Sequence, residues 1–414
     1  MIRSERAIDR HNIPRYYAYA FLMDFALWSG IWIKYLIDDR GFELRWILAM
    51  DLPFWLVVAA LQAPMGALAD RVGRRRVLAG AALAFALVVL GFGLTTSYWM
   101  LFIDYVLWAI AMSMRGGVDS ALLFDTLKNV GREHYFAKVA GRGFAVRLLA
   151  GVAGLVLGAF FAEQAGLARA VQVGALPPLL ATLVALSLRE PAIERTRQRY
   201  LASLIGGLAF AWRHAEVRYT LLIGSVLLAG AFGGSVLVQP FLLEHDVSTR
   251  MFGLFQVPLR LASVIAALLA FWISRRTATG RLFLGACGVI IAAYAGLAAW
   301  GATAAFTLFL LPALIAGLAD PIVGAHLNVR IPSQQRATVL SVMALLFALQ
   351  LAVFEPVLGF VADGASLRAA FLFSAAYFMV LMPPLMVLWA RAHGRRAAPA
   401  GAEDLLAADV RESM

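Results

Sequence analysis

Residues 66–76 read G-A-L-A-D-R-V-G-R-R-R, from Gly66 to Arg76, and lie between two long apolar runs. One carboxylate (Asp70), four arginines (Arg71, Arg74, Arg75, Arg76) and two glycines (Gly66, Gly73) share eleven residues. A turn so rich in charge between segments so poor in it is the pattern of a short connection at a membrane surface. Gly73 suits the tight turn and Gly66 a close helix approach. At a membrane surface Asp70 is placed to face a helix N-terminus from elsewhere in the chain. That attraction is typically worth about 0.3–1 kcal/mol.

Composition agrees with that reading. The chain has 414 residues, 62% hydrophobic and only 15% charged. A soluble globular chain is roughly half apolar and a quarter charged. The fold class is therefore an all-α polytopic membrane protein. A net charge of +11 raises the question of nucleic acid. The basic residues instead sit in short loops between apolar runs, so no nucleic-acid partner is expected. The lone Cys287 excludes an intramolecular disulfide and a CxxC metal or redox site. The first apolar run is long and holds Asp24, so it is expected as a retained helix rather than a cleaved signal peptide.

Twelve segments are long enough to cross the hydrocarbon: 15–37, 45–69, 77–95, 98–124, 143–163, 169–188, 217–241, 252–273, 282–300, 305–327, 338–361 and 368–390. They are called helices 1 to 12 below. Of 36 lysines and arginines, 27 fall on the side that carries the hairpin and both ends of the chain, and six on the other. That bias orients the hairpin and both termini toward the cytoplasm. The long connection after helix 6 divides the chain into a six-helix bundle (1–188), a cytoplasmic linker (189–216), a second six-helix bundle (217–392) and a polar, disordered tail (393–414). Within the linker, Leu201, Leu204, Ile205, Leu208 and Trp212 fall on one helical stripe, suited to a helix in the membrane interface; a flexible linker is the alternative. After helix 8 the chain reads S-R-R-T-A-T-G-R (Ser274 to Arg281), a degenerate second copy of the hairpin that lacks the acid.

These residues resemble the major facilitator superfamily (MFS), whose signature between helices 2 and 3 is G-x-x-x-D-R-x-G-R-[RK]-[RK]. Gly66, Asp70, Arg71, Gly73, Arg74, Arg75 and Arg76 match it without a gap. Two further stretches, Ser120 to Lys128 (S-A-L-L-F-D-T-L-K) and Asn328 to Ser341 (N-V-R-I-P-S-Q-Q-R-A-T-V-L-S), look like a bacterial drug-efflux-like branch. The resemblance covers residues 10–395. It implies two pseudo-symmetric six-helix bundles in the bacterial cytoplasmic membrane, working by alternating access as a monomer. It also implies that Asp70 latches to the start of helix 11 and that Asp125 pairs with Arg74 or Arg71. Efflux antiporters of the family carry a Gly-Pro step in helix 5. Here Gly151, Gly154 and Gly158 give a small-residue face with no proline after it.

Charge inside the membrane is costly, roughly 2.5–3.5 kcal/mol per group on insertion scales, so each case is a functional candidate. Asp24 lies near mid-depth on helix 1 and is the first proton or substrate candidate, Glu355 the second, with bonding of Asp24 to a neighbouring helix or to cavity water as the competing reading. Helix 4 carries Asp104, Arg115 and Asp119; Arg115 and Asp119 are at i,i+4. Asp104 shares a face with Arg115 but lies further out, whereas Arg115 and Asp119 with Arg147 of helix 5 form either a coupling site or a structural network. Arg260 of helix 8 and Glu355 of helix 11 fall at similar depth and either pair or line the cavity separately. Asp320-Pro321 and Glu355-Pro356 mark kinks. His326, near a loop edge, reads as ordinary. Phe25, Trp28, Trp32, Trp55, Trp108 and Tyr294 are the aromatic candidates for a cavity.

The expected function is a secondary active transporter, with proton-coupled export of a small amphipathic organic molecule and import or uniport as alternatives. No catalytic or metal-ligand spacing and no phosphate-binding glycine loop appears, so no enzyme, metal or cofactor is expected beyond a proton gradient.

Overall fold

The structure, a computed structural model, describes residues 2–191 and 200–395. Among these residues every regular element is helical. Eleven helices are long and apolar enough to cross a membrane. The twelfth expected crossing, helix 1, differs from expectation. It runs as a helix over Ile2–Asp24, opens into turns over 25–31, and resumes as one α-helical turn (Trp32–Lys34) and a π-helical stretch (Tyr35–Asp39).

Four other expected helices, 2, 4, 6 and 7, are interrupted. Helix 4 is split at Gly116 and Gly117 into Tyr98–Arg115 and Val118–Lys128; Gly117 has φ +73°, a left-handed conformation that glycine adopts without penalty. Helix 6 is Leu167–Val173 followed by Leu176–Ser187. Helix 7 is Ala215–Gly233, a 3-10 stretch Gly234–Leu237 and Val238–Glu244. The first helix of each half is thus broken within its apolar stretch. Such breaks are tolerated only where other groups satisfy the freed backbone.

The remaining helices are helix 2 (Leu44–Ala49, then Asp51–Val72), helix 3 (Arg74–Leu94), helix 5 (Phe136–Ala165), helix 8 (Thr249–Arg276), helix 9 (Thr279–Ala299), helix 10 (Leu310–Arg330), helix 11 (Ser333–Gly364) and helix 12 (Leu367–Arg395). Pro321 and Pro356 lie inside helices 10 and 11. Packing repeats between the halves. Helix 1 lies on 5 as 7 lies on 11, helix 2 on 4 as 8 on 10, and helix 3 on 6 as 9 on 12. Across the seam, helix 5 packs along helix 8 and helix 2 along helix 11.

The stretch Tyr200–Arg213 is a helix, packed against helix 11 and touching helix 2. Leu208 and Trp212 are exposed on it, whereas Leu201, Leu204 and Ile205 lie outside the described side chains. The linker segment 192–199 and the tail from 396 onward lie outside the described residues.

Candidate functional site: a cavity at the seam

The hairpin is a one-residue turn. Helix 2 ends at Val72, Gly73 takes φ +108°, and helix 3 starts at Arg74. The exposed N–H groups of that start are capped from the linker: Glu190 Oε1 accepts from Arg74 N at 2.8 Å and Glu190 Oε2 from Arg75 N at 2.9 Å. Glu190 carries no signal in the sequence beyond lying in a polar connection. The Arg74 guanidinium pairs with Asp125 and donates to Ala121 O at 2.6 Å, so of the two arginines open to Asp125 the fold selects Arg74. Asp70 is half-exposed and 3.7 Å from Arg74 within its own hairpin.

Deeper in the first half the structure gathers Asp24, Arg115, Asp119 and Arg147. Arg115 pairs with Asp24, and Arg147 with Asp119. Arg115 Nε lies 3.8 Å from Asp119 and Arg147 Nε 4.0 Å from Asp24. Asp24 is therefore not a lone aspartate, because two cations from helices 4 and 5 reach it. Asp104 stays apart from Arg115, buried with Oδ2 lacking a hydrogen-bond partner, its Oδ1 facing Gly91 of helix 3.

The break in helix 1 is held by the second half. Gln239 of helix 7 accepts from Ile33 N at 3.0 Å and Lys34 N at 3.3 Å, and donates to Ser29 O at 3.2 Å. Gln256 of helix 8 donates to Gly30 O at 2.9 Å. Helix 5 seats the same break through its glycines. A Cβ on Gly154 would meet Ala26 N at 2.8 Å, and one on Gly158 would meet Leu27 O at 1.9 Å.

Between the halves lies a cavity of about 590 Å³. Its walls include Trp28, Trp32, Trp55, Trp108 and Tyr294. Phe25 instead stacks on Phe21 at 5.5 Å. Both Arg260 and Glu355 line the cavity, but no ion pair joins them among the described residues. Glu355, 2% exposed, accepts from Trp55 Nε1 at 2.7 Å across the seam. Asp51, at the start of the long piece of helix 2, also lines the cavity, buried, with Oδ2 unbonded. In the sequence Asp51 stands near the edge of an apolar run, where acids are common, and does not stand out. Its i,i+4 spacing to Trp55 was the available signal.

One cluster lies away from the cavity, at the hairpin end of the second half. Glu216 of helix 7 accepts from Arg330 Nε at 2.5 Å and meets His393 Nδ1 at 2.7 Å, with His326 Nε2 at 3.3 Å. His326 is not an ordinary loop-edge residue: it is buried, and Trp389 stacks on His393 beside it. These ligand-type atoms lie within 4.8 Å of one another, a grouping of three helices that linear spacing does not reveal. Arg330 already supplies a cation to the carboxylate.

The sequence pattern of the Major Facilitator Superfamily matches residues 16–354. The chain belongs to the Major Facilitator Superfamily. It is similar in fold to the bacterial homologue of the human lysosomal transporter Spinster solved inward-facing and unoccupied, at 15% identity and TM-score 0.74 over 96% of this chain and 99% of that one. It is also similar to the nucleoside transporter NupG, at 16% identity and TM-score 0.69 over 91% and 98% of the two chains. A POT family transporter in complex with 5-aminolevulinic acid aligns at 12% identity and TM-score 0.66 over 92% and 96%. A search of curated proteins finds no match. As a member of this superfamily the chain is a multi-pass membrane transporter by fold, not an enzyme.

Proposed function

We propose that this superfamily member is a secondary active transporter of a small amphipathic organic molecule, bound in the seam cavity and driven by protons. The observation that carries the reading is the pair Asp51 and Glu355. They are buried acids from opposite halves, they face one aromatic-walled cavity, and neither has a lysine or arginine partner among the described residues. An uncompensated carboxylate in such surroundings is costly, which favours proton uptake and release as the cavity changes its exposure. The Asp24 carboxylate is already paired with Arg115 and holds the network of helices 1, 4 and 5 together. The proton role is therefore read onto Glu355, already the second candidate from sequence, together with Asp51 rather than Asp24.

The two halves rock about the cavity, with the Gly66–Arg76 hairpin and its Asp70 as the cytoplasmic gate. Export is the direction that the efflux-like resemblance implies, and import on the same fold is the competing outcome. The distribution of Lys and Arg supports both termini inside, and the efflux-like resemblance supports a bacterial cytoplasmic membrane.

The test is counterflow and net flux in proteoliposomes, with and without a pH gradient. Wild type should respond to the gradient. Asp51→Asn and Glu355→Gln should keep counterflow and lose that response, whereas pH-independent flux in the wild type removes proton coupling. The sign of the gradient that accelerates net flux separates export from import.

A further inference from the structure

Arg260 is the unusual cation of the cavity. The arginines near it are accounted for: Arg115 with Asp24, and Arg147 with Asp119. Arg260 is the third arginine of this region; it interacts electrostatically with Asp24, whose carboxylate Arg115 and Arg147 already reach, and it shares the cavity with the acids Asp51 and Glu355. Among the described residues Arg260 has no hydrogen bond and no ion pair, although it lines the cavity and is exposed to it. Its place is built. A Cβ on Gly151 of helix 5 would come within 2.6 Å of Arg260 Nη1, so the glycine leaves a seat for the guanidinium. Ser263, one turn on, lines the cavity beside it. A guanidinium presents a rigid fork of N–H donors that matches a carboxylate or phosphate with two parallel hydrogen bonds. The surrounding tryptophans offer flat apolar faces for a ring.

We infer that the molecule held in the cavity is a small aromatic organic anion, its oxyanion group docked on Arg260 and Ser263 and its ring among Trp28, Trp32 and Trp108. Trp55, Asp51 and Glu355 form part of the same cavity wall and supply the proton-bearing groups. The inference rests on the reading of this cavity as the transport site. It makes Arg260 a specificity-determining residue on helix 8 and makes a cationic cargo the wrong class.

The test is equilibrium binding to the purified full chain with a charge series on one ring: indole-3-acetate (anion), indole-3-acetamide (neutral) and tryptamine (cation). Phenyl phosphate beside benzoate separates a phosphate from a carboxylate preference. Indole-3-acetate should bind about tenfold more tightly than the amide, the usual worth of hydrogen bonds to a charged group. Arg260→Gln should abolish that preference, Arg260→Lys should keep part of it, and Ser263→Ala should reduce it. The preference within the charge series is read on the wild-type chain and does not depend on any variant folding. Tightest binding by tryptamine, binding by none of the series, or an anion preference that survives Arg260→Gln overturns the inference. Those results leave the transporter reading intact, because that reading fails only in the flux experiment.

Discussion

The Asp363 carboxylate, at the end of helix 11, accepts the backbone N–H of Arg45 at 2.7 Å, at the start of helix 2. Its counterpart is Glu163, at the end of helix 5, which accepts the N–H of Arg250 at 2.6 Å at the start of helix 8. The two contacts are related by the internal repeat, since helix 5 corresponds to 11 and helix 8 to 2. Each ties the halves at the end of the bundle opposite the hairpin, by an acid on a helix N-terminus. Each such contact is worth about 0.3–1 kcal/mol. The double variant Asp363→Asn, Glu163→Gln is expected to favour opening at that end. In a Cys287→Ala background, a cysteine at the cavity residue Ala231 should then be labelled several-fold faster by an impermeant maleimide added from that side. An unchanged rate shows that the two contacts do not hold the halves together at that end.

Gln239 supports the opened backbone of helix 1 from the other half. It is 3% exposed, and its removal takes the side-chain partner from Ile33 N–H and Ser29 C=O at the cavity wall. Such an orphaned group costs about 1–3 kcal/mol. Gln239→Ala should lower the melting temperature in detergent clearly. Gln239→Glu keeps the acceptor for Ile33 and should fall between the two. Equal melting of all three chains would mean that water or a shifted backbone replaces the glutamine.

Gly158 is the tightest seat under that opened stretch. Gly158→Ala places a methyl where Leu27 O stands and has no flexible side chain to displace. Overpacking of this kind costs typically about 1–3 kcal/mol. Gly141→Ala, on the same helix with nothing within 4 Å, is the control and should be neutral or slightly stabilising. Comparable stability of the two variants would argue against close packing of helices 1 and 5.

The Asp119 side chain is 7% exposed and bonded to Arg147. Breaking a buried pair from one side leaves an uncompensated charge, at a cost of about 3–5 kcal/mol. Asp119→Ala should therefore reduce folded yield sharply. The double variant Asp119→Ala, Arg147→Met should recover much of it. If the double variant is no better than the single, the pair contributes by something other than charge compensation.

The site was less legible than the fold, for reasons that differ from residue to residue. Arg115, Asp119 and Arg147 were readable as a group because helical spacing and depth are local quantities. That Arg115 takes Asp24 was not, since it depends on how helix 1 lies against helix 4. Asp51 was hidden by its place near the start of helix 2, where depth in the membrane is ambiguous by a turn. The break at 25–31 was hidden too: F-A-L-W-S-G-I is apolar enough to continue a helix, and the groups that make the break tolerable are Gln239 and Gln256, more than 200 residues away.

The sequence by itself determined the class, eleven of the twelve expected crossing segments and the family, and it pointed to the repeat. Those follow from hydrophobic length, from the sidedness of Lys and Arg, and from a hairpin whose charges and Gly73 turn are contiguous in the chain. The tertiary structure alone decided which carboxylates are paired and which face the cavity. A charge in an apolar medium is defined by its nearest partner, and that partner comes from another helix. Asp24 was drawn into an ion pair, Asp51 and Glu355 were left facing each other's half, and Arg260 was left lining the cavity with no hydrogen bond or ion pair among the described residues.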